Sequence, residues 1–562
     1  MSDYYEWPWE RSLPKDVTWK TSIETYTLPK LFEKSISEWA KNPAIDFLGR
    51  SLTYEELGLM VKQATKGLQS LGVKKGSRVA IMLPNCPAYV VLYWATLCAG
   101  GIVVNINPLY AYDELEAQLQ DSEPEILATL DLKDLFYKAE KMIEITSLKY
   151  LITIKFSEEL PYFKGLLFRL FKRKAITNIK KSSNIISWNT LLDNDSFYST
   201  PDIKDTDVAV LQYTGGTTGL PKAAMLTHAN LSANIEQGTL FFPQTIPGKE
   251  IVLCVLPLFH VFAMTVVMNF SIRNGAEMVL LPRFDINEML KTIIRKQPTF
   301  FPAVPTIYIA VNNHPDVKTG KYNLSSIKAC LSGGDSLPIE VKENFESLTG
   351  CSLVEGYGLS ETSPIAACNP STGQSRSGSL GLPAPMTVFE ITDIEDRKKV
   401  LPQGETGEIC ISGPQIMKGY WKNNSETAFA FEGDRFHTGD IGYIDKDGYI
   451  YLIDRLKEVI ISSGYNIYPR YIEEAIYKHP AVEEVIVIGV EDTYRQQKPK
   501  AFIKLVKNMH LTRELLLDFL SDKLSPIEIP KDIEFRDELP KTAVGKLSKK
   551  GLIAEERTRP TI

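Results

Sequence analysis

The sequence predicts an α/β fold: a large N-terminal domain of doubly wound mixed sheets with a small β-subdomain, then a smaller α+β C-terminal domain. Three observations carry this. From Ser77 to about Leu331, short apolar runs of strand length alternate with helix-length runs, the pattern of a mostly parallel sheet with helices on both faces. From Val388 the texture changes to short strands separated by turn dipeptides such as Asp447-Gly448. Past Asp454 a last unit of roughly 110 residues mixes strands and helices, and that length is ordinary for a domain. The boundaries read as 1–454 for the N-terminal domain, with the β-subdomain at about 388–454, and 455–562 for the C-terminal domain.

In chain order, Leu28 to Trp39 has apolar residues at helical spacing, and Thr53-Tyr-Glu-Glu is a capped helix start after a short hairpin. Val79–Leu83, Ala88–Ala99 and Ile102–Asn105 form a strand-helix-strand unit. A helix from Asp113 and a strand at Ile126–Leu130 follow. Val79–Tyr112 and Ile251–Ile272 are free of charge and long enough for a membrane span. Pro84, Pro87 and Gly100-Gly101 interrupt the first, and Pro257 with His260 the second, so both read as buried α/β core. Residues 155–181 interleave Lys155, Lys164, Arg169, Lys172, Arg173, Lys174, Lys180 and Lys181 with Leu, Phe and Tyr. This is either a basic amphipathic helix on an anionic membrane surface or a solvated helix packed on its own domain. Further strands fall at Ile251–Leu256, Met278–Leu281, Thr299–Ala303, Ile327–Leu331, Val485–Val490 and Ala501–Leu505, with late helices at Arg470–Lys478 and Thr512–Lys523.

Composition narrows the function. A net charge of −6 argues against a general nucleic-acid binder. The seven Cys are scattered without a Cys-x-x-Cys pair, and no His-Glu-x-x-His occurs among the six His, so no protein-built zinc site is indicated. The N-terminus lacks a basic-then-apolar secretory pattern, so the chain reads as cytoplasmic with reduced thiols, or peripheral at the inner membrane face.

The chemistry concentrates in loops that follow strands. Asp207–Gln212 reads as a buried strand. Thr214, Gly215, Gly216, Thr217, Thr218 and Gly219 then place three glycines and three threonines in six positions, with Lys222 just beyond. Glycines let backbone N–H groups converge, threonines add hydroxyls and the lysine adds charge, a combination suited to a polyphosphate. Leu220-Pro221 separates Gly219 from Lys222, so this is not the usual nucleotide-hydrolase loop. Ser332-Gly-Gly-Asp-Ser336 and Glu355-Gly-Tyr-Gly-Leu-Ser-Glu-Thr362 end later strands. The second fails the dinucleotide Gly-x-Gly-x-x-Gly pattern, because Glu361 stands where the last Gly belongs.

With these loops in order, the chain resembles the adenylate-forming superfamily of acyl-CoA synthetases, carrier-linked adenylation domains and luciferases, from about Leu28 to Leu552. The motifs are Tyr213–Lys222, Pro257-Leu-Phe-His260, Glu355–Thr362, Gly407–Gly413, Phe436-His-Thr-Gly-Asp440, Asp454-Arg-Leu-Lys457 and Pro540–Lys546. His437–Lys457 looks like the fatty-acyl-CoA synthetase signature. One departure is Asp434-Arg-Phe436, where that signature carries Gly-Trp; chain-length inference from the family is weaker there.

The resemblance implies an ATP-dependent fatty acid–CoA ligase acting on a medium- or long-chain acid, with ATP, Mg²⁺ and CoA. The carboxylate attacks the α-phosphorus of ATP and releases pyrophosphate; a thiolate then displaces AMP. Thr214 to Thr218 would hold the β- and γ-phosphates with Lys222, Glu361 and Thr217 would hold Mg²⁺, and Thr362 would meet the α-phosphate. Asp440 would accept from the ribose hydroxyls with Arg455 nearby, and Gly333, Gly334, Tyr357 and Gly358 would border the nucleotide. His260, Val261, Met264 and Gly356 would line the acyl path, with His260 as its gate; a satisfied core histidine is the competing reading. Lys546 would be the catalytic cation, supported by Glu361 and Thr214. The C-terminal domain would swing about Lys457 and bring Ser463-Gly464 to the CoA tunnel in its second orientation. The resemblance also admits a homodimer. Three rivals share the ATP motifs: an enzyme loading a carrier protein, a short- or aromatic-acid ligase, and a binding protein without activity.

Overall fold

The computed structural model describes residues 7–14, 17–180, 182–214, 221–462, 465–492, 495–542 and 545–558. Four sheets stand among the described residues, of seven, nine, five and five strands. The seven-stranded sheet runs, edge to edge, through Ile185–Ser187, Tyr150–Ile154, Ile126–Leu130, Arg78–Ile81, Ile102–Asn105, Val208–Thr214 and Lys222–Thr227. Its strands are parallel except the last, which turns back antiparallel with Thr214 opposite Lys222. The nine-stranded sheet has a parallel centre, Pro43–Phe47, Glu277–Leu280, Ile251–Cys254, Phe300–Ala303, Ala329–Gly333 and Ser352–Gly358, with antiparallel strands at both edges. The doubly wound expectation therefore holds, and the sheets are mixed.

One apolar cluster takes residues from both large sheets, including Ile81, Val103, Leu253, Val279 and Phe301. Helix Pro87–Cys98 belongs to it, and all twelve of its residues are buried. A helix apolar on every side has no face for water, which is why this stretch lacks charges. Pro87 opens it, where a missing N–H costs nothing. The helix Tyr54–Ser70 begins as read: Glu56 N–H donates to Thr53 Oγ1 at 3.2 Å, and Thr53 N–H to Glu56 Oε2 at 2.8 Å.

Two stretches depart from the periodicity. Residues 155–181 hold a turn of helix at Phe156–Glu159, one helix at Tyr162–Phe171 and a 3₁₀ turn at Arg173–Ala175, rather than one long helix. After Ile251–Cys254, the chain forms a π-helix at Ala263–Asn269 that continues into the α-helix Phe270–Asn274. A wider helix leaves no mark in a stretch without charges, because no charged face reports the period.

The β-subdomain sheet comprises Val388–Thr392, Gly407–Ser412, Arg435–Ile444, Phe431–Glu432 and Ile450–Arg455. The last sheet is smaller: Val482–Asp492 and Gln496–Leu505 form its long hairpin, flanked by Ile460–Ser462, Tyr465–Ile467 and Asp532–Phe535. Helices Pro469–Tyr477 and Arg513–Leu520 cover one face through Ile472, Ile476, Leu516 and Leu520, and Lys549–Thr558 packs Leu552 on the other. The C-terminal unit reaches the large one through Thr306, whose hydroxyl donates to Gly545 O at 2.9 Å.

Candidate active site

The Gly/Thr sequence joins antiparallel strands Val208–Thr214 and Lys222–Thr227. Thr214 and Lys222 frame its base. Gly215, Gly216, Thr217, Thr218 and Gly219 lie outside the described residues, as do Ser463 and Gly464. The Lys222 ammonium pairs with Glu426 and stands 5.3 Å from the centre of the Tyr420 ring. Both members of the pair are partly exposed, so an incoming phosphate can compete for the lysine.

Tyr420 links this hairpin to Glu361. Its hydroxyl donates to Glu361 Oε1 at 2.8 Å. The segment around it is stitched to the hairpin: Lys418 N–H donates to Met225 O at 3.0 Å and Trp421 N–H to Ala223 O at 2.8 Å. It also ties to the Glu361 turn, where Met417 N–H donates to Glu361 O at 2.8 Å. Burial pushes the Glu361 carboxyl up, while its own backbone N–H, Tyr420 and the Lys222 charge pull it back. Tyr420 uses one of about four lone-pair sites on the carboxylate. A buried carboxylate beside a phosphate-type loop is a fitting donor for a hard cation such as Mg²⁺.

Thr362 and Ser363 complete the turn. Thr362 is fully buried, and its hydroxyl contacts the carbonyls of Leu359 and Pro364, so it faces its own turn rather than an open site. The Thr265 hydroxyl in the π-helix donates to Ser363 O at 2.7 Å. The π-helix is thereby bonded to the turn that carries Glu361.

Asp440 sits in strand Arg435–Ile444, opposite Arg455. Its Oδ2 accepts from the Tyr357 hydroxyl at 2.6 Å, and Arg455 Nε lies 3.5 Å from Oδ1. Burial raises the Asp440 carboxyl; the Arg455 charge and the Tyr357 hydrogen bond oppose that shift. Lys457 lies two residues beyond Arg455, and burial together with the Arg455 charge pushes its ammonium down.

Lys546 arrives from the C-terminal unit. Its side chain fills the space over Gly334, whose φ is +88°, so that a Cβ there would overlap the lysine Cε. Burial lowers this ammonium to about 8, with Asp335 opposing and Arg455 adding to the shift. Gly333 is open for another reason: a Cβ would come to 3.2 Å from the Phe262 ring. Gly358 abuts the Pro364 carbonyl and has no room for a side chain, while a Cβ at Gly356 would come to 2.9 Å from the tip of the Leu331 side chain.

His260 is half-buried, and its Nδ1 accepts from Phe262 N–H at 3.3 Å. Burial pushes it down to about 3, and the Lys546 charge adds to this. It is therefore neutral, and the lysine and histidine sense one another across the domain contact. Val261 and Met264 are buried behind it. An apolar pocket lined by Gly238, Phe242, Thr265, Val266, Phe270 and Ile365 opens further along the π-helix.

The structure thus brings Glu361, Tyr357, Asp440, Arg455, Lys546, Gly334 and His260 into one group of interacting side chains. Sequence reading missed the buried amides that hold the Pro257–His260 turn. Asn85 Nδ2 donates to Leu256 O at 2.9 Å, and Asn85 Oδ1 accepts from Leu258 N–H at 2.8 Å. Gln212 Nε2 donates to Phe259 O at 3.1 Å and is itself held by Asn105 Nδ2 at 2.9 Å. The one available signal was polar residues within apolar strands, since buried amides require partners.

The family AMP-binding enzyme matches residues 32–421, and the AMP-binding enzyme C-terminal domain matches residues 471–546. The chain is 44% identical over 553 residues to a long-chain-fatty-acid–CoA ligase of Bacillus subtilis, covering 98% of each chain. To an Escherichia coli long-chain-fatty-acid–CoA ligase it is 37% identical over 561 residues, again covering 98% of each. Among solved structures, it is similar to ATP-bound MatB from Rhodopseudomonas palustris, with a TM-score of 0.82, 26% identity, and coverage of 95% of this chain and 99% of that one.

Proposed function

The chain belongs to the AMP-binding enzyme family, and from that premise we propose how its residues divide the work of the reaction. It is an ATP-dependent fatty acid–CoA ligase of the AMP-forming type: a fatty acid becomes acyl-AMP, and CoA takes the acyl group. A carboxylate is a poor electrophile, and joining it to AMP supplies a good leaving group. The first step asks the protein mainly for position and for neutralisation of charge.

Lys546 stabilises the negative charge that develops between the attacking carboxylate and the α-phosphate. The observation that carries this reading is its placement: the ammonium lies over Gly334, beside neutral His260, with a charge only weakly compensated. Glu361 would hold Mg²⁺, which neutralises phosphate charge when bound. Asp440 accepts from the ribose hydroxyls beside Tyr357 and Arg455. Thr214 and Lys222 would hold the β- and γ-phosphates. Thr362 serves the α-phosphate only after its hydroxyl turns from Pro364. His260, Val261 and Met264 form the acyl entrance, and Lys457 is the hinge between a 1–454 body and a 455–562 domain that swings.

AMP formation is measured across acids from acetate to oleate, with and without CoA. The expected result is CoA-dependent turnover on medium and long chains. Acyl-AMP accumulating without thioester would replace this reading with a carrier-loading enzyme, and turnover on short or aromatic acids alone would replace the substrate class.

The same chain is proposed to touch an anionic lipid surface. No helix among the described residues is long and apolar enough to cross a membrane. Helix Tyr162–Phe171 nevertheless buries only Gly165 and leaves Tyr162 and Phe171 each 80% exposed, along with Phe163, Leu166, Leu167 and Leu170. Lys164, Arg169, Lys172, Arg173 and Lys174 surround these residues, a pairing of apolar face and basic rim that suits headgroups. Co-sedimentation with anionic vesicles should be lost in F163S/F171S, and equal binding by that variant would refute the contact. Sedimentation velocity of the same sample reports whether the chain pairs with itself.

A further inference from the structure

Glu408 lies outside the roles assigned above, yet its carboxylate is buried beside them. Strand Gly407–Ser412 pairs with Arg435–Ile444 as Cys410 with His437 and Glu408 with Ile441. One residue, Ile409, therefore stands opposite three: Thr438, Gly439 and Asp440. The surplus bulges, and Gly439 takes φ +72°, where a side chain would be strained. A bulge breaks the ladder, so its polar groups need other partners. Glu408 supplies one: Oε1 accepts from Gly439 N–H at 3.1 Å. Its Oε2 lies 2.8 Å from His437 Nδ1. Thr438 supplies the other, donating to Ile409 O at 2.7 Å and accepting from Asp440 N–H at 3.0 Å.

Among the described residues, Glu408, Cys410 and His437 are also close enough to share a metal ion. Arg397 Nε, however, lies 3.6 Å from Glu408 Oε2 and 3.4 Å from His437 Nδ1. A cation already balances the carboxylate, which favours a structural clamp over a metal centre.

We propose that Glu408 is a positioning residue for nucleotide recognition: it pins the Thr438–Asp440 bulge and so sets where the Asp440 carboxylate meets the ribose. This rests on the reading of Asp440 as the ribose acceptor. A carboxylate displaced by about 1 Å loses of the order of a hundredfold in a well-aligned site. Acid-dependent turnover of the full chain is measured with ATP and with 2′-deoxy-ATP.

The native chain should prefer ATP, and Asp440→Ala should bring the ratio of kcat/KM values near one. Glu408→Ala should lower kcat/KM for ATP about 10- to 100-fold, move the ratio towards that of Asp440→Ala, and leave KM for the fatty acid unchanged. Glu408→Gln keeps an acceptor for Gly439 and should stay close to the native ratio. The double variant Glu408→Ala/Asp440→Ala should match Asp440→Ala alone. If Asp440→Ala loses the preference while Glu408→Ala keeps it, the positioning role is wrong. If Asp440→Ala itself keeps the preference, the ribose reading falls first. Should Glu408→Ala fail to fold, Thr438→Val removes the other pin, and a native ratio in that variant would equally overturn the proposal.

Discussion

Lys546 and Lys549 are three residues apart, and the structure treats them in opposite ways. Lys549 Nζ lies 2.9 Å from Glu458 Oε2 and 3.3 Å from Glu473 Oε1. Burial works against its charge, but Glu473, Glu458 and Asp454 outweigh burial and hold the ammonium above its ordinary value. Lys546 has no carboxylate within ion-pairing distance among the described residues, and burial lowers it to about 8. The first lysine is saturated with negative charge and ties the last helix to the segment after Asp454. The second is short of negative charge, and on the proposed reading it sits where the reaction would create it. At an effective dielectric of 20, a unit charge 4 Å away is worth about 4 kcal/mol. That attraction remains available only to the lysine not already neutralised.

Breaking the contrast at its active end should have the largest effect. Lys546→Ala should lower acid-dependent ATP–pyrophosphate exchange by about 10²–10³-fold, the scale for losing one preorganised charge stabiliser. Thioester formation from preformed acyl-AMP should change far less, and equal losses in both steps would contradict the assignment. The same lysine sharpens the contrast through pH. Its charged form prevails below about 8 and is lost as pH rises, so kcat/KM for adenylation should fall on the alkaline side with a midpoint near that value. Lys546→Arg, charged throughout, should remove that limb.

Lys549→Met acts on the structural end. It removes the ammonium that Glu458 and Glu473 share, and urea unfolding should show a loss of about 1–3 kcal/mol. Adenylation should decline less than in Lys546→Ala. The smallest effect belongs to Tyr420→Phe, which deletes the hydrogen bond to Glu361. A single such bond is worth about 1 kcal/mol, so the Mg²⁺ needed for half-maximal rate should shift by a few-fold.

Much of this group of side chains is legible in the sequence. Glu361, Asp440 and Lys546 lie in short motifs whose local chemistry is distinctive, and strand–loop alternation placed the Glu361 motif at a strand end. What stayed hidden depends on pairing between distant segments. Tyr420 reaches Glu361 only because residues 417–421 run beside strand Lys222–Thr227. The role of Glu408 follows from a three-against-one mismatch between two strands, and a single strand's sequence cannot reveal its partner's register. The buried amides Asn85, Asn105 and Gln212 read as interruptions in apolar runs until their acceptors are seen. The basic 155–181 stretch suggested a longer helix than the ten residues that form it, because Pro161 and the Lys172 cap divide the run.

Gly334 has a consequence for how this protein can change over time. The lysine tip occupies the room that any side chain at 334 would need, so the two positions, on different domains, are epistatic. An alanine at 334 would have to push that flexible tip aside and hold a left-handed φ of +88°, so a change in one domain carries a cost in the other. A swap of C-terminal domains between relatives should therefore succeed best where the receiving body carries the same bare position.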